Sequence, residues 1–355
     1  MLHASSLTTD AVPVLPQHRF DEANLERYLL GNVEGFTAPL MVAQTQGGMS
    51  NPTFILTDGA EKKYVMRKKP PGKLLPSAHA VDREFKVISA LWNTEVPVAR
   101  PYVLCQDPSV LGVDFYVMDF VEGRVFHDQT LPSLSPSERN AIYLTLADTL
   151  AQLHRVDFRA MGLADYGRTG GYYLRQVALW SRQYEAAKTE ELPAMDRLMQ
   201  WLPEHMPSDE ETTIVHGDFR LENMIFHPTE PRVLAVIDWE LSTLGVPLSD
   251  LAYNCIAYHV SDPLRGDITN LDYAAYGIPS EDEYVARYCQ QMGRTELPHW
   301  NFTLILSLFR LAAILQGVYK RGLDGNAASP DALLKRDRCG TLANRAWALV
   351  ERGIG

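Results

Sequence analysis

Three polar side chains in the second half of the chain have the types and spacing of a site for a hard cation. The run Ile214-Val215-His216-Gly217-Asp218-Phe219-Arg220-Leu221-Glu222-Asn223-Met224-Ile225-Phe226 passes from an apolar strand end through a short polar loop into a second apolar strand. Asp218 and Asn223 stand five residues apart across that loop, which can aim both side chains into one cleft. Eleven residues past Phe226 comes Ile237, and a strand over Val233–Ile237 delivers Asp238 at its C-terminal end. Two carboxylates and a carboxamide offer oxygen ligands only, a set suited to Mg²⁺. Phosphoryl transfer asks for that set: cations neutralise the phosphate oxygens, and one carboxylate takes or orients the proton of the attacking hydroxyl. In this scheme Asp218 is the base, and Asn223 and Asp238 hold the metal. Asn223 is neutral, so the pocket is not overloaded with negative charge.

The elements that must position these residues fall into two parts, predicting an α+β, two-lobed architecture with a β-rich first part (1–122, with a leading helix) and a mainly helical second part (123–355). Strands are expected at Asn51–Thr57, Lys63–Arg67, Pro101–Cys105 and Phe115–Phe120, the first two joined by an Asp58-Gly59 turn. One helix, about His79 to Trp92, interrupts them with Val81, Phe85, Ile88 and Leu91 on one face. Beyond residue 125 the periodicity is helical. Ser135-Pro136-Ser137-Glu138 is a capping box with proline at the first helical position, and further helices are expected near Tyr172–Lys188, Ala194–Trp201, Glu281–Met292 and Asn301–Tyr319. The stretch Ile214–Trp239 reads as one strand–loop–strand island among them.

Composition narrows the function classes. The chain has 355 residues, 46% hydrophobic and 22% charged, with a formal net charge of −11, against the basic face that sequence-independent nucleic-acid binding needs. The apolar stretch Phe302–Val318 is broken by Ser307, Arg310 and Gln316 and reads as a buried helix, so no membrane partner is expected. Met1–Pro16 lacks the basic start and apolar run of a signal peptide. Cys105, Cys255, Cys289 and Cys339 form no CxxC pair, which fits a reducing cytoplasm.

The His216-Gly217-Asp218-x-x-x-x-Asn223 run and the later Ile237-Asp238-Trp239-Glu240 resemble the aminoglycoside phosphotransferase and choline kinase superfamily, a branch of the protein-kinase fold, over about Phe36 to Arg321. The resemblance implies ATP and Mg²⁺ as cofactors and a small-molecule hydroxyl as acceptor. It makes Gly47-Gly48-Met49-Ser50-Asn51 a phosphate-covering loop. It places Arg67 at the strand-lysine position, with Lys68 in reserve and Glu84 as ion-pair partner, and makes Met118, Asp119 and Val121 the hinge against adenine. Asp250 is expected to support the loop or to cap a helix, His216 to orient the loop backbone, and Glu240 to back the metal site or face solvent. Gly217 replaces the arginine of protein kinases, and Trp239-Glu240 replaces their mobile Phe-Gly pair, so a phosphorylation-regulated kinase is not expected.

Arg67-x-x-Pro70-Pro71-Gly72, Met118-x-Phe120-Val121-x-Gly123 and Leu308-Phe309-Arg310-Leu311-Ala312 are similar to the phosphotransferases associated with acyl-CoA dehydrogenases. That subgroup implies a hydroxyacyl-CoA or hydroxy acid as acceptor, and a functional link to an acyl-CoA dehydrogenase. The basic residues Lys62, Lys63, Arg67, Lys68, Lys69 and Lys73 could greet nucleotide or CoA phosphates. The alternatives are an aminoglycoside, choline-like or sugar kinase, and a nucleotide-binding pseudokinase. Arg310 interrupts an apolar helix and is expected to meet an acid, a substrate carboxylate or a phosphate.

Overall fold

The computed structural model describes residues 11–45, 51–70, 80–326 and 330–353. The chain divides into two compact units, one of Met1–His127, Arg159–Ala164 and Leu221–Ser242, the other of Asp128–Phe158, Asp165–Arg220 and Thr243–Gly355.

The first unit is built on a six-stranded antiparallel sheet. Its strands are β1 (Ala11–Val12), β2 (Met41–Thr45), β3 (Thr53–Thr57), β4 (Lys63–Lys68), β5 (Pro101–Cys105) and β6 (Phe115–Asp119), in the order β1-β2-β3-β4-β6-β5. Asp58 makes the β3–β4 turn by accepting the amides of Ala60 and Lys62, both at 2.9 Å. Side chains alternate across the sheet. Phe54, Leu56, Tyr64, Met66, Phe115 and Val117 form one buried face with Leu25 and Leu29 of α1 (Glu22–Asn32). Arg67 and Tyr116 belong to the other set and are directly opposed between β4 and β6. Helix α2 (Val81–Leu91) buries Val81, Glu84, Val87, Ile88 and Leu91. Phe85, expected on that face, is half-buried, because the face has turned to bring Glu84 inward. A short α3 (Pro108–Leu111) precedes β6.

The second unit is helical, with α4 (Pro136–Arg155), α5 (Tyr172–Ala187), α6 (Pro193–Glu204), α7 (Leu248–His259), α8 (Tyr273–Tyr276), α9 (Glu281–Met292), α10 (Trp300–Leu323) and α11 (Arg336–Glu351). The Ser135–Glu138 capping box closes reciprocally at the start of α4, and Ser280–Glu283 does the same for α9. Helix α10 is the hub, packed against α5, α7 and α11. It is long and apolar enough to cross a membrane, and 61% of its most apolar window is buried inside the unit.

The island expected over Ile214–Trp239 is divided between the units. In the second, β7 (Thr213–Val215) pairs with β10 (Thr243–Gly245), a strand the sequence did not announce. In the first, β8 (Met224–Phe226) pairs with β9 (Val233–Val236). The Arg124 and Phe226 backbones exchange hydrogen bonds at 2.8 Å in both directions, joining the chain after β6 to this hairpin. Gly123 makes the approach possible: a Cβ there would lie 2.3 Å from the Phe226 carbonyl oxygen. Backbone cannot step aside as a flexible side chain can. We therefore expect Gly123→Ala to destabilise the protein by about 1–3 kcal/mol in urea unfolding.

Candidate active site

Strand register creates the charged centre of the first unit. Because Arg67 and Tyr116 are cross-strand neighbours, both reach the same carboxylate on α2. Arg67 Nη1 lies 2.8 Å from Glu84 Oε2, the Tyr116 hydroxyl donates to Oε2 at 2.9 Å, and Asn51 Nδ2 donates to Oε1 at 2.7 Å. Glu84 is 1% exposed and Arg67 7%, so two opposite charges are held almost without water, which is tolerable only with such complete pairing. Burial raises the Glu84 carboxyl above its usual range, against the pull of Arg67, Tyr116 and Asn51. Burial works against the Arg67 charge too. Tyr116, Glu84, Asp238 and Glu240 outweigh it and leave the guanidinium more basic than free arginine.

Arg67 also ties this centre to the β8–β9 hairpin. Its Nη1 and Nη2 each lie 3.4 Å from Asp238 Oδ1, and Nη2 lies 3.9 Å from Glu240 Oε2. Asn223 immediately precedes β8, and its carbonyl accepts the Ile237 amide at 2.9 Å. Asn223 and Asp238 therefore stand at the same end of the hairpin. Asp238 adopts φ 66°, ψ 59°, a left-handed conformation that aspartate tolerates better than most residues. Trp239 beside it is 1% exposed and donates Nε1–H to the Val236 carbonyl at 2.9 Å.

These two side chains fit Mg²⁺: both donors are oxygen, and the Asp238 side chain is 38% exposed. Among the described residues no three His, Cys, Asp or Glu side chains cluster as a metal site. A cation here would complete its shell with phosphate and water oxygens.

The second unit holds the Asp218 loop. Asp250, in the first turn of α7 and 1% exposed, accepts the amides of His216 at 2.6 Å and Gly217 at 2.9 Å. His154 of α4 places Nε2 3.5 Å from Asp250 Oδ2, an electrostatic contact, while its Nδ1 meets the Tyr288 hydroxyl at 2.8 Å. Burial alone would raise the Asp250 carboxyl. The His154 imidazole and the His216 ring and amide reverse that and hold it below the usual aspartate range. Gly217 has φ 84°, and the Asp218 amide donates to His216 Nδ1 at 3.3 Å. Arg220 Nε lies 3.2 Å from Asp218 Oδ2. Burial, then the Asp218 charge, pushes the Tyr253 phenol up to about 12.

Arg310, expected to meet an acid or an anion, instead donates Nη2–H to the Gly217 carbonyl at 2.8 Å. The other placements are mixed. Gly48, Met49, Ser50 and Lys73 lie outside the described residues. Asn51 is fully buried against Glu84. At the hinge, Met118 is half-buried, and the Asp119 amide is taken by the Arg100 carbonyl at 2.8 Å. Among the described residues, no backbone hydrogen bond involves Val121. The basic cluster separates: Lys62 donates to Tyr102 at 2.8 Å, Lys69 pairs with Asp114 at 2.7 Å, and Lys68 is 4% exposed, its pKa lowered by burial. Arg67, not Lys68, shares the face with Glu84 and Asp238. Tyr116, His154 and Tyr253 were missed, since nothing in their local sequence separates them from ordinary strand and helix residues; Arg220 stands inside the Ile214–Phe226 run, and its pairing with Asp218 was the part not seen.

A β-rich unit carrying Arg67, Glu84 and Asp238 and a helical unit carrying an Asp250-held loop define a phosphotransferase of kinase-like fold. The chain belongs to the phosphotransferase enzyme family, whose model matches residues 42–294. It is 47% identical over 356 residues to acyl-CoA dehydrogenase family member 11 of Homo sapiens, covering 98% of this chain and 44% of that protein. The chain thus spans less than half the length of that relative. A solved structure of a candidate aminoglycoside phosphotransferase from Ralstonia eutropha is 48% identical with a TM-score of 0.87, covering 94% of this chain and 99% of that one. A thermostable mutant of aminoglycoside phosphotransferase APH(4)-Ia, in ternary complex with ADP and hygromycin B, shares the fold at a TM-score of 0.58 and 16% identity, covering 92% of this chain and 98% of its own.

Two stability tests follow from this geometry. Tyr116→Phe removes a donor from the buried Glu84 and should cost about 1.5–3 kcal/mol, read as a lowered urea midpoint at unchanged slope. The depressed Asp250 carboxyl contributes stability in full above the usual aspartate range and loses it as pH falls through its folded-state value. Urea midpoints measured from neutral pH downward should drop in that acid window, and Asp250→Asn should flatten the drop.

Proposed function

We propose that the chain transfers the γ-phosphate of ATP to a hydroxyl of a small molecule, with Asp218 as the base. The observation that carries this reading is the convergence of Asn223 and Asp238 at one end of the β8–β9 hairpin, with Arg67 3.4 Å from Asp238. Five residues of chain separate Asp218 from Asn223, which caps their Cα separation at about 18 Å.

Arg67 and the backbone at Val121 are the groups for the phosphates and the adenine. Asn223 and Asp238 would hold Mg²⁺, which when bound would neutralise charge on the phosphate oxygens. Asp218 accepts the proton of the acceptor hydroxyl as that oxygen forms its bond to phosphorus and the bond to the ADP oxygen breaks. Arg220 pairs with its carboxylate at 3.2 Å. Asp250 and His216 hold the loop, and Glu240 backs Arg67.

A hydroxyacyl-CoA or hydroxy acid is the acceptor class that the subgroup resemblance and the name of the human relative support, with an acyl-CoA dehydrogenase as functional partner and the cytoplasm as location. The full set of polar positions disfavours a pseudokinase.

Asp218→Asn should retain ATP binding and lose about 10²- to 10⁴-fold in transfer; wild-type turnover in that variant would remove Asp218 from its role. Asp238→Ala should abolish Mg²⁺-dependent nucleotide binding, and undiminished binding moves the metal elsewhere. An ATP-consumption screen over hydroxyacyl-CoAs, hydroxy acids, amino alcohols and aminoglycosides identifies the acceptor. ATP binding without turnover of any of them favours the pseudokinase.

A further inference from the structure

We propose that Arg310 is a positioning residue for Asp218, acting through the Gly217 carbonyl; the proposal rests on the phosphotransfer reading above. The peptide group joining Gly217 to Asp218 is gripped at both ends. Its N–H, on Asp218, donates to His216 Nδ1 at 3.3 Å, and its carbonyl, on Gly217, accepts from Arg310 Nη2 at 2.8 Å. The two preceding amides end on Asp250. Gly217 has no side chain and stands at φ 84°, so rotation of this peptide plane meets little steric resistance. Such a rotation would swing the Asp218 side chain. The Arg310 hydrogen bond opposes it directly, from a helix that forms the hub of the unit.

Arginine is a costly choice at this place. Arg310 interrupts a run of buried apolar residues on α10, and its Nε is buried without a hydrogen-bond partner. Among the described residues it has no carboxylate within ion-pair distance. What surrounds the cation is aromatic, with its guanidinium carbon 5.6 Å from the Trp180 ring centre and 5.5 Å from that of Tyr253. Cation–π contacts offset part of the desolvation, yet an apolar side chain would serve packing better. The geometry therefore points to the loop rather than the core as the reason for the residue. Tyr253 faces Arg310 with its ring, and the Asp218 charge is among the causes that raise its phenol. A planar guanidinium can lie against these rings and still reach the carbonyl; a lysine ammonium lacks that fork.

The test uses Arg310→Lys and Arg310→Met in the full chain. We expect kcat to fall about 100-fold, the scale of a small misplacement of a reacting group, with nucleotide affinity and acceptor KM held within about twofold. Hydrogen–deuterium exchange supplies a readout independent of turnover: amides of 214–220 should lose about tenfold protection while those of α10 keep theirs. Unchanged kcat with unchanged loop protection overturns the proposal, and so does loss of protection spread equally over α10, which would make Arg310 a core residue. If Arg310→Met fails to unfold cooperatively, Arg310→Lys, which keeps the stem and the charge, decides. If the wild-type chain turns over no acceptor, the phosphotransfer reading fails, and the exchange result still decides whether Arg310 holds the loop.

Discussion

Two backbone amides, those of His216 and Gly217, end on the carboxylate of Asp250, and the surroundings of that contact keep the carboxylate charged. A carboxylate at 1% exposure would take up a proton if its lone pairs were left to an apolar interior. Here they are filled by N–H donors and faced by an imidazole that the Tyr288 hydroxyl orients from behind. The pairing of β7 with β10 delivers the loop to the start of α7, where the carboxylate waits. Loop, strand pair and three helices are thus coupled through one side chain. The loop's shape therefore depends on the helical unit's core as well as on the loop's own His216 and Gly217.

The first unit solves a parallel problem with the opposite sign. Arg67 is a nearly buried cation that reaches Asp238 on one side, and Glu84 pairs with it on the other. Asn51 and Tyr116 complete the carboxylate so that Arg67 is not required to satisfy it alone. Such an arrangement adds little to stability over an apolar core and is better understood as defining a single geometry. Trp239 beside the hairpin is held in the same way, buried and hydrogen-bonded to the Val236 carbonyl.

What could be read from sequence alone was whatever depends on neighbours along the chain. The capping box at Ser135, the bounds of β5 and α9, and the Asp58 turn are local and stand where the sequence pattern placed them. The Asp218, Asn223 and Asp238 spacing marked the family, because the motifs that carry the resemblance lie in one short stretch of chain. The division of the Ile214–Trp239 island was not legible, because β7 finds its partner 28 residues later in a three-residue strand with no turn signal. Tyr116 was invisible for a different reason: it matters only because register sets it across from Arg67. Arg310 was noticed as an anomaly, but its partner is a backbone carbonyl, which no sequence pattern marks.

The left-handed backbone at Asp238 has an evolutionary consequence. Two unrelated filters act on one position: the metal-holding role proposed for Asp238 asks for a short oxygen donor, and the backbone asks for a residue that accepts positive φ. Glutamate meets neither the reach nor the conformation, while asparagine and glycine meet the conformation and discard the charge. Drift away from aspartate therefore leads first to chains that keep their shape and fall silent. Inactive descendants of this fold should be sought with asparagine or glycine at this point, still well folded.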